Sequence, residues 1–364
     1  MKLKELCTSL EEWAPLAYQE SYDNSGLIVG GLSAELTGVL VSLDCVEDVI
    51  EEAIAKGCNA IVSHHPIVFK GLKSFTGKNY VERTLIKAIK NDIALYAIHT
   101  NLDNIHTGVN KMLADKIGLI NTRVLVPKKE VIKQLVTYAM PADADSIRNA
   151  LFEIGAGALG EYSECSFTVS GSGTFKGSQN SNPVVGEKGI RTCQVEERIE
   201  ILFPAFMESR VISVLKNSHS YEEVAYSVFN LSNENQNVGS GMIGELSIAE
   251  NSLDFLGTLK NNLNADGIRY TSLVKNKIKK VAICGGSGSF LLQAAIRSGA
   301  DVFITGDFKY HEFFDAENKI IIADVGHYES EQYTKDLIAD FLSEKFPKFA
   351  VHLSKVNTNP INYL

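Results

Sequence analysis

Residues 53–65 read AIAKGCNAIVSHH, and residues 295–307 read AIRSGADVFITGD. Each runs from the end of a helix through a glycine and a small or polar pair into a β-branched strand, then closes on polar side chains. The glycines, Gly57 and Gly299, suit a helix C-cap. The strands, AIVS and VFIT, are continuous apolar runs, as expected for parallel strands covered on both faces. The echo extends in both directions. Upstream, GVLVSLD (38–44) and KKVAICGG (279–286) are candidate first strands; downstream, DIALYAIHTNLD (92–103) and NKIIIADVGHYE (318–329) are each a further strand with a histidine near its exit. The repeat predicts two related α/β lobes, one from each end of the chain.

Between the lobes the pattern changes. KQLVTYAM (133–140) reads as a strand and PADADSIRNALFEIGA (141–156) as a helix opened by proline and acidic residues. SECSFTVSGSGTFKG (163–177) alternates as a strand and then dissolves into glycine and serine, and SQNSNPVVGEKG (178–189) is a loop by composition. A strand, a helix and a strand follow. The order β-α-β-β-α-β is the ferredoxin-like split motif. It predicts an inserted α+β domain over residues 127–240, with residues 1–126 and 241–364 forming one discontinuous, two-lobed α/β domain.

The 364 residues carry 45% hydrophobic and 22% charged side chains, the balance of an ordinary globular protein. No apolar run reaches 18 residues, so no transmembrane helix is expected, and the start, MKLKELCTSLEEW, has none of the uninterrupted apolar stretch of a secretory signal. A net charge of −9 argues against a general nucleic-acid or anionic-membrane surface. The six cysteines are scattered without a CxxC pair, as small core residues in a reducing cytoplasm would be.

The chemistry gathers at strand exits. His64 and His65 close one strand; His99 and Asp103 follow a second; Asp307 and His311 follow a third; His327 and Glu331 follow a fourth, one helical turn apart. Five of the eight histidines lie in these clusters. In open parallel α/β sheets ligands bind beyond the carboxyl ends of strands, where all four clusters would meet. A single histidine at a strand end is more often a hydrogen-bonded structural residue than a ligand. Recurrence at four corresponding ends favours a metal site. Imidazole and carboxylate without thiolate suit Zn, Fe, Mn or Ni. Adjacent His64 and His65 point to opposite sides of an extended strand, so they suit two ions better than one. A carboxylate such as Glu331 has oxygens for both. Two ions roughly 3.5–4 Å apart would hold and acidify a bridging water for hydrolysis.

At these residues the chain resembles the Nif-three-like dinuclear metal-centre family, whose members bear the name GTP cyclohydrolase 1 type 2 homologue. The motifs are DNSGLIVGG (23–31), IVSHHPIVFKGLKS (61–74), AIHTNLDN (97–104), GDFKYHE (306–312) and DVGHYESE (324–331). SHSYEEVAYSVFNL (218–231) and GSGMIGEL (239–246) resemble the longer members, which carry an inserted ferredoxin-like domain related to CutA and PII proteins. The resemblance implies that His65 and Asp103 bind one metal and His64 and His327 the other, with Glu331 bridging. It leaves His99, Asp307 and His311 as groups that orient ligands or handle protons. It also implies a homohexamer with the metal sites toward an internal cavity.

The expected function is dinuclear metal-dependent hydrolysis of a small anionic substrate. The family name suggests a nucleotide, with the purine imidazole ring opened. The rival is a non-enzymatic metal-binding assembly or regulatory adaptor. Lesser candidates have bland counterparts: CGGSGSF (284–290) is a phosphate loop or, more simply, a tight turn; Lys70, Lys73 and Lys78 are substrate cations or a solvated loop; His219, Tyr221 and Glu222 are a polar site or a helix-to-strand connection.

Overall fold

The apolar runs of the repeat form the centres of two sheets in a computed structural model, which describes residues 1–364. In the first lobe the sheet order is Gly26–Val29, Ala94–Ala97, Ala60–Ser63, Val39–Ser42, Val351–Leu353. In the second it is Arg269–Tyr270, Ile321–Asp324, Val302–Gly306, Lys277–Ser287, Asn235–Asn251, Ile120–Lys128. Each centre is three parallel strands lying side by side in chain order. In each, the third strand is flanked by an antiparallel strand drawn from just before the first: Gly26–Val29 in one lobe, Arg269–Tyr270 in the other. The repeat is therefore one of topology as well as of sequence.

Burial explains the unbroken apolar runs. In the second lobe Ile283, Ile304 and Ala323 pack into one cluster while their chain neighbours Ala282, Phe303 and Ile322 pack into another. Successive strand residues face opposite sides, so two covered faces demand apolar residues at every position. Gly57 and Gly299 follow their helices at φ +69° and +74°, as the sequence predicts.

By packing, the chain divides into Met1–Pro127 with Gln236–Leu364, and Lys128–Asn235. Residues 236–240 run in the strand Asn235–Asn251. The middle unit has the element order β-α-β-β-α-β in a four-stranded antiparallel sheet, order Ser166–Lys176, Arg191–Pro204, Ile132–Ala139, Tyr226–Asn230. The first of these strands does not dissolve at its glycines. It stays paired with Arg191–Pro204 through Lys176, because the partner supplies a ladder over the whole stretch. Val351–Leu353 is also unforeseen: the last strand returns to the first lobe, parallel to Val39–Ser42. No helix is long and apolar enough to cross a membrane.

Candidate metal centre

His64 and His65 leave the strand Ala60–Ser63 with their backbone N–H groups still on the ladder, donating to Ser42 O at 3.2 Å and Leu43 O at 3.0 Å. The chain bends there, and the two imidazole rings stay together, 4.9 Å between centroids. Asp103 closes the short helix Thr100–Asp103 beyond the strand Ala94–Ala97. His327 and Glu331 sit at the two ends of the short helix His327–Glu331, which starts just past the strand Ile321–Asp324.

These five side chains converge, and with His99 they make three overlapping groups. His64, Asp103 and Glu331 form one; His65, His327 and Glu331, sharing that carboxylate, form a second; and His64, His65 and His99 form a third. In the first, His64 Nε2 stands 3.6 Å from Asp103 Oδ1 and 3.8 Å from Glu331 Oε1. In the second, Glu331 Oε2 is 3.0 Å from both His65 Nε2 and His327 Nε2. The five residues are those the resemblance implies, and the nearest contacts set His64 beside Asp103 and His65 beside His327. His64 is fully buried with Nδ1 on the Ile98 carbonyl at 2.8 Å, and its Nε2 faces Asp103 on the short helix beyond the neighbouring strand. The His65 ring lies 4.9 Å from it, centroid to centroid, with Nε2 on Glu331 and His327.

Outer contacts hold the rings. Asp44 Oδ1 meets His65 Nδ1 at 2.7 Å, and Asp307 Oδ2 meets His327 Nδ1 at 2.7 Å, leaving both Nε2 atoms toward Glu331. His99 Nδ1 meets Asp23 Oδ1 at 2.8 Å, and its ring packs edge-on to those of His64 and His65. Ser25 and Thr100 hydroxyls donate to the other Asp23 oxygen. Two of these acids stand outside the histidine-bearing strand exits. Asp44 ends GVLVSLD and Asp23 opens DNSGLIVGG; the strand-exit rule that found the histidines reaches Asp44, whereas nothing in spacing marks Asp23.

Do these residues fit a cation? His64 Nε2 and Asp103 Oδ1 are buried and lack any hydrogen-bond partner. Such orphaned polar atoms cost free energy unless something else satisfies them, and a lone-pair donor aimed at a carboxylate is a cation's donor set. Electrostatics agree. Burial, with the Glu331 charge beside it, pushes the Asp103 carboxyl up to about 7. His327 is raised to about 11, chiefly by the Glu331 charge. Burial works against a charged His65, yet bonds to Asp44 and Glu331 raise it to about 9. Burial also opposes ionised Glu331, but the His327 charge and the imidazole contacts hold it well below the usual range. Without cations the cluster retains protons instead. It is able to hold a metal ion.

A cavity of about 1000 Å³ opens onto the cluster. Seven carboxylates line it, and no lysine or arginine does. Exposed Tyr22, Phe69, Tyr80 and Phe290 add aromatic surface. Lys70, Lys73 and Lys78 are not among the lining residues. His311 lies outside the cluster: it is exposed, with its ring against Tyr310 and Phe314. The glycine turn of CGGSGSF offers no free anion cradle. Gly285 N donates to Asn110 Oδ1 at 3.1 Å and Gly286 N to Ser330 Oγ at 2.9 Å, so the turn instead anchors the helix that carries Glu331. In the middle unit Tyr221 N donates to His219 Nδ1, and His219 Nε2 meets the Tyr138 carbonyl at 3.0 Å. That histidine is a connection between elements.

A profile of the DUF34/NIF3 (NGG1p interacting factor 3) family matches residues 1–360. A Bacillus subtilis protein named GTP cyclohydrolase 1 type 2 homolog is 37% identical over 360 residues, covering 97% of this chain and 96% of that protein. A Halalkalibacterium halodurans protein of the same name is 36% identical over 359 residues, with the same coverage. Among solved structures, a Bacillus cereus protein related to NIF3 superposes with a TM-score of 0.86 at 35% identity, covering 100% of this chain and 99% of that one. Staphylococcus aureus SA1388 gives 0.79 at 33% identity with the same coverage.

Proposed function

Because the chain belongs to the DUF34/NIF3 family, we propose that it is a metal-dependent hydrolase whose cluster would hold two divalent cations of the Zn, Fe, Mn or Ni kind, with Glu331 shared between them. One cation would be held by His64 and Asp103, the other by His65 and His327. The observation that carries this is the shared carboxylate: Glu331 Oε1 faces a buried, unpartnered His64 Nε2, while Oε2 contacts two further imidazoles. Bound cations supply Lewis acidity, polarising a substrate oxygen and lowering the pKa of water. The protein's own groups do the rest. Asp44 and Asp307 fix the tautomer and direction of His65 and His327. His99, held by Asp23, lines the cavity beside His64 and His65 and is the group we assign to proton handling.

The names of the curated relatives point to a purine nucleotide, and the aromatic surface around the cavity suits a flat heterocycle. The seven carboxylates do not suit a polyphosphate, which the cations or a neighbouring molecule would have to meet. We read residues 128–235 as a ferredoxin-like insert of the CutA/PII kind. We read the whole as a cytoplasmic homohexamer.

The test is Glu331→Gln, which keeps shape and removes the bridging charge. Metal content by elemental analysis should fall at both positions, and turnover on nucleotides, phosphoesters or cyclic amides should drop by at least about 1,000-fold, with the oligomer unchanged. Wild-type protein that holds its ions yet turns over none of these would be a metal-binding assembly or adaptor instead.

A further inference from the structure

A third segment reaches the centre besides the two lobes. After the strand Val351–Leu353 the chain is pinned to the helix Glu47–Ala55: Ser354 Oγ donates to Glu52 Oε2 at 2.6 Å and Lys355 N to the same carboxylate at 3.1 Å. Thr358 Oγ1 then donates to Asp44 Oδ2 at 2.5 Å. The other Asp44 oxygen is the one on His65 Nδ1. One residue on, Asn359 Nδ2 donates to Glu329 Oε1 at 3.2 Å, and Glu329 is buried on the helix that carries His327 and Glu331. The segment therefore crosses from the first lobe to the second, and Pro360 and Ile361 continue it along the cavity wall.

The two halves of the cluster are held differently. His64 is locked by a backbone carbonyl inside the fold, with no contribution from this segment. His65 is locked by a carboxylate on a loop, and a carboxylate bonded at one oxygen alone can swing about its own axis. The hydroxyl of Thr358 on the second oxygen removes that freedom. Groups that orient a ligating histidine change metal affinity by about 10–100-fold when lost, and a group one bond further out belongs at the lower end.

We propose that residues 354–361 are a strap built into the metal centre and that Thr358 is a positioning residue, acting through Asp44, for the His65–His327–Glu331 half alone. This rests on the two-cation reading given above.

The test uses the full chain, stripped with a chelator and titrated with Co²⁺ against a competing chelator, with the visible d–d bands followed. Wild type and Thr358→Ser should take up two ions. Thr358→Val should keep one ion at wild-type affinity, bind the other about tenfold more weakly, and show altered bands for that ion only. In a His327→Ala background, which already lacks that half, Thr358→Val should change nothing. Thr358→Ala, with no branch to accommodate, repeats the measurement if the valine variant folds poorly. Uptake of two ions by wild type with both weakened equally in Thr358→Val, or neither weakened, overturns the strap while leaving two cations standing. Uptake of fewer than two by wild type overturns the two-cation reading and the strap with it.

Discussion

Glu331 can stand between the two groups because residue 286 has no side chain. Gly286 is at φ +63°, and a Cβ there would lie 2.3 Å from Glu331 Oε1. CGGSGSF is thus legible as a turn but not as the floor of a metal site, since the reason for its glycine is a side chain 45 positions away in the chain. The titrating residues give a pH signature with a definite sign. His65 and His327 are raised to about 9 and about 11, against an unfolded value near 6.5. Their contribution is fully present below about 6.5 and is lost as pH rises through the folded values, because the folded state binds more protons in that window. Chelator-treated protein should therefore melt progressively lower between pH 7 and 9. His65 contributes up to about 1.4 kcal/mol per pH unit, and His327, a third exposed and screened by solvent, less. Metal-loaded protein, whose imidazoles are already deprotonated, should be flat across the same window. Melting curves at fixed ionic strength decide it: parallel pH profiles for the two forms would mean that these histidines do not hold protons where cations belong.

The strands were the most legible elements, because a parallel strand covered on both faces writes itself as an unbroken apolar run; Val302–Gly306 and Ile321–Asp324 are buried at every position. The strand exits were equally plain: they mark eight candidate side chains, and it is the resemblance that singles out five of them. What spacing could not give is which of those side chains stand beside one another, since that depends on how the chain bends past each strand. Nor could it give the return of Val351–Leu353 to the first sheet, since a three-residue strand carries almost no periodic signal. The helix His327–Glu331 is too short to be stable alone and depends on its anchors. Ser330 is fully buried, accepting from Gly286 N at 2.9 Å and donating to His327 O at 2.8 Å. Ser330→Ala should leave the Gly286 N–H buried without a partner, lowering stability by about 1–3 kcal/mol. It should also loosen the turn that presents both ligands, so that chemical denaturation and metal uptake weaken together. A stability loss with unaltered metal uptake would show that the short helix keeps its place without this serine.

Residues 128–235 leave and re-enter the rest of the molecule through two strands, Ile120–Lys128 and Asn235–Asn251, that are neighbours in the second-lobe sheet. They run close at the point of exit: a Cβ on Gly239 would lie 2.1 Å from the Val126 carbonyl oxygen. The insert is in this sense a long excursion of the chain between two neighbouring strands. It also keeps its own core, with Leu135, Ile147, Ile199, Phe203, Val211 and Leu215 in one cluster, while every residue of the metal cluster belongs to the other unit. Two adjacent antiparallel strands can be closed by a two-residue turn of the Asn-Gly type, and a shorter closure costs less entropy than a long one. Replacing residues 128–235 by such a turn should give a protein that melts cooperatively within about 5 °C of the full chain and takes up the same number of ions. Two measurements judge it, a thermal melt and a metal titration. A product that unfolds, or folds but binds no metal, would mean that the insert is part of the metal-binding unit's stability and that its border is drawn in the wrong place. A product that folds and loads but no longer forms the full chain's oligomer would assign the insert to assembly, leaving the chemistry to the two lobes.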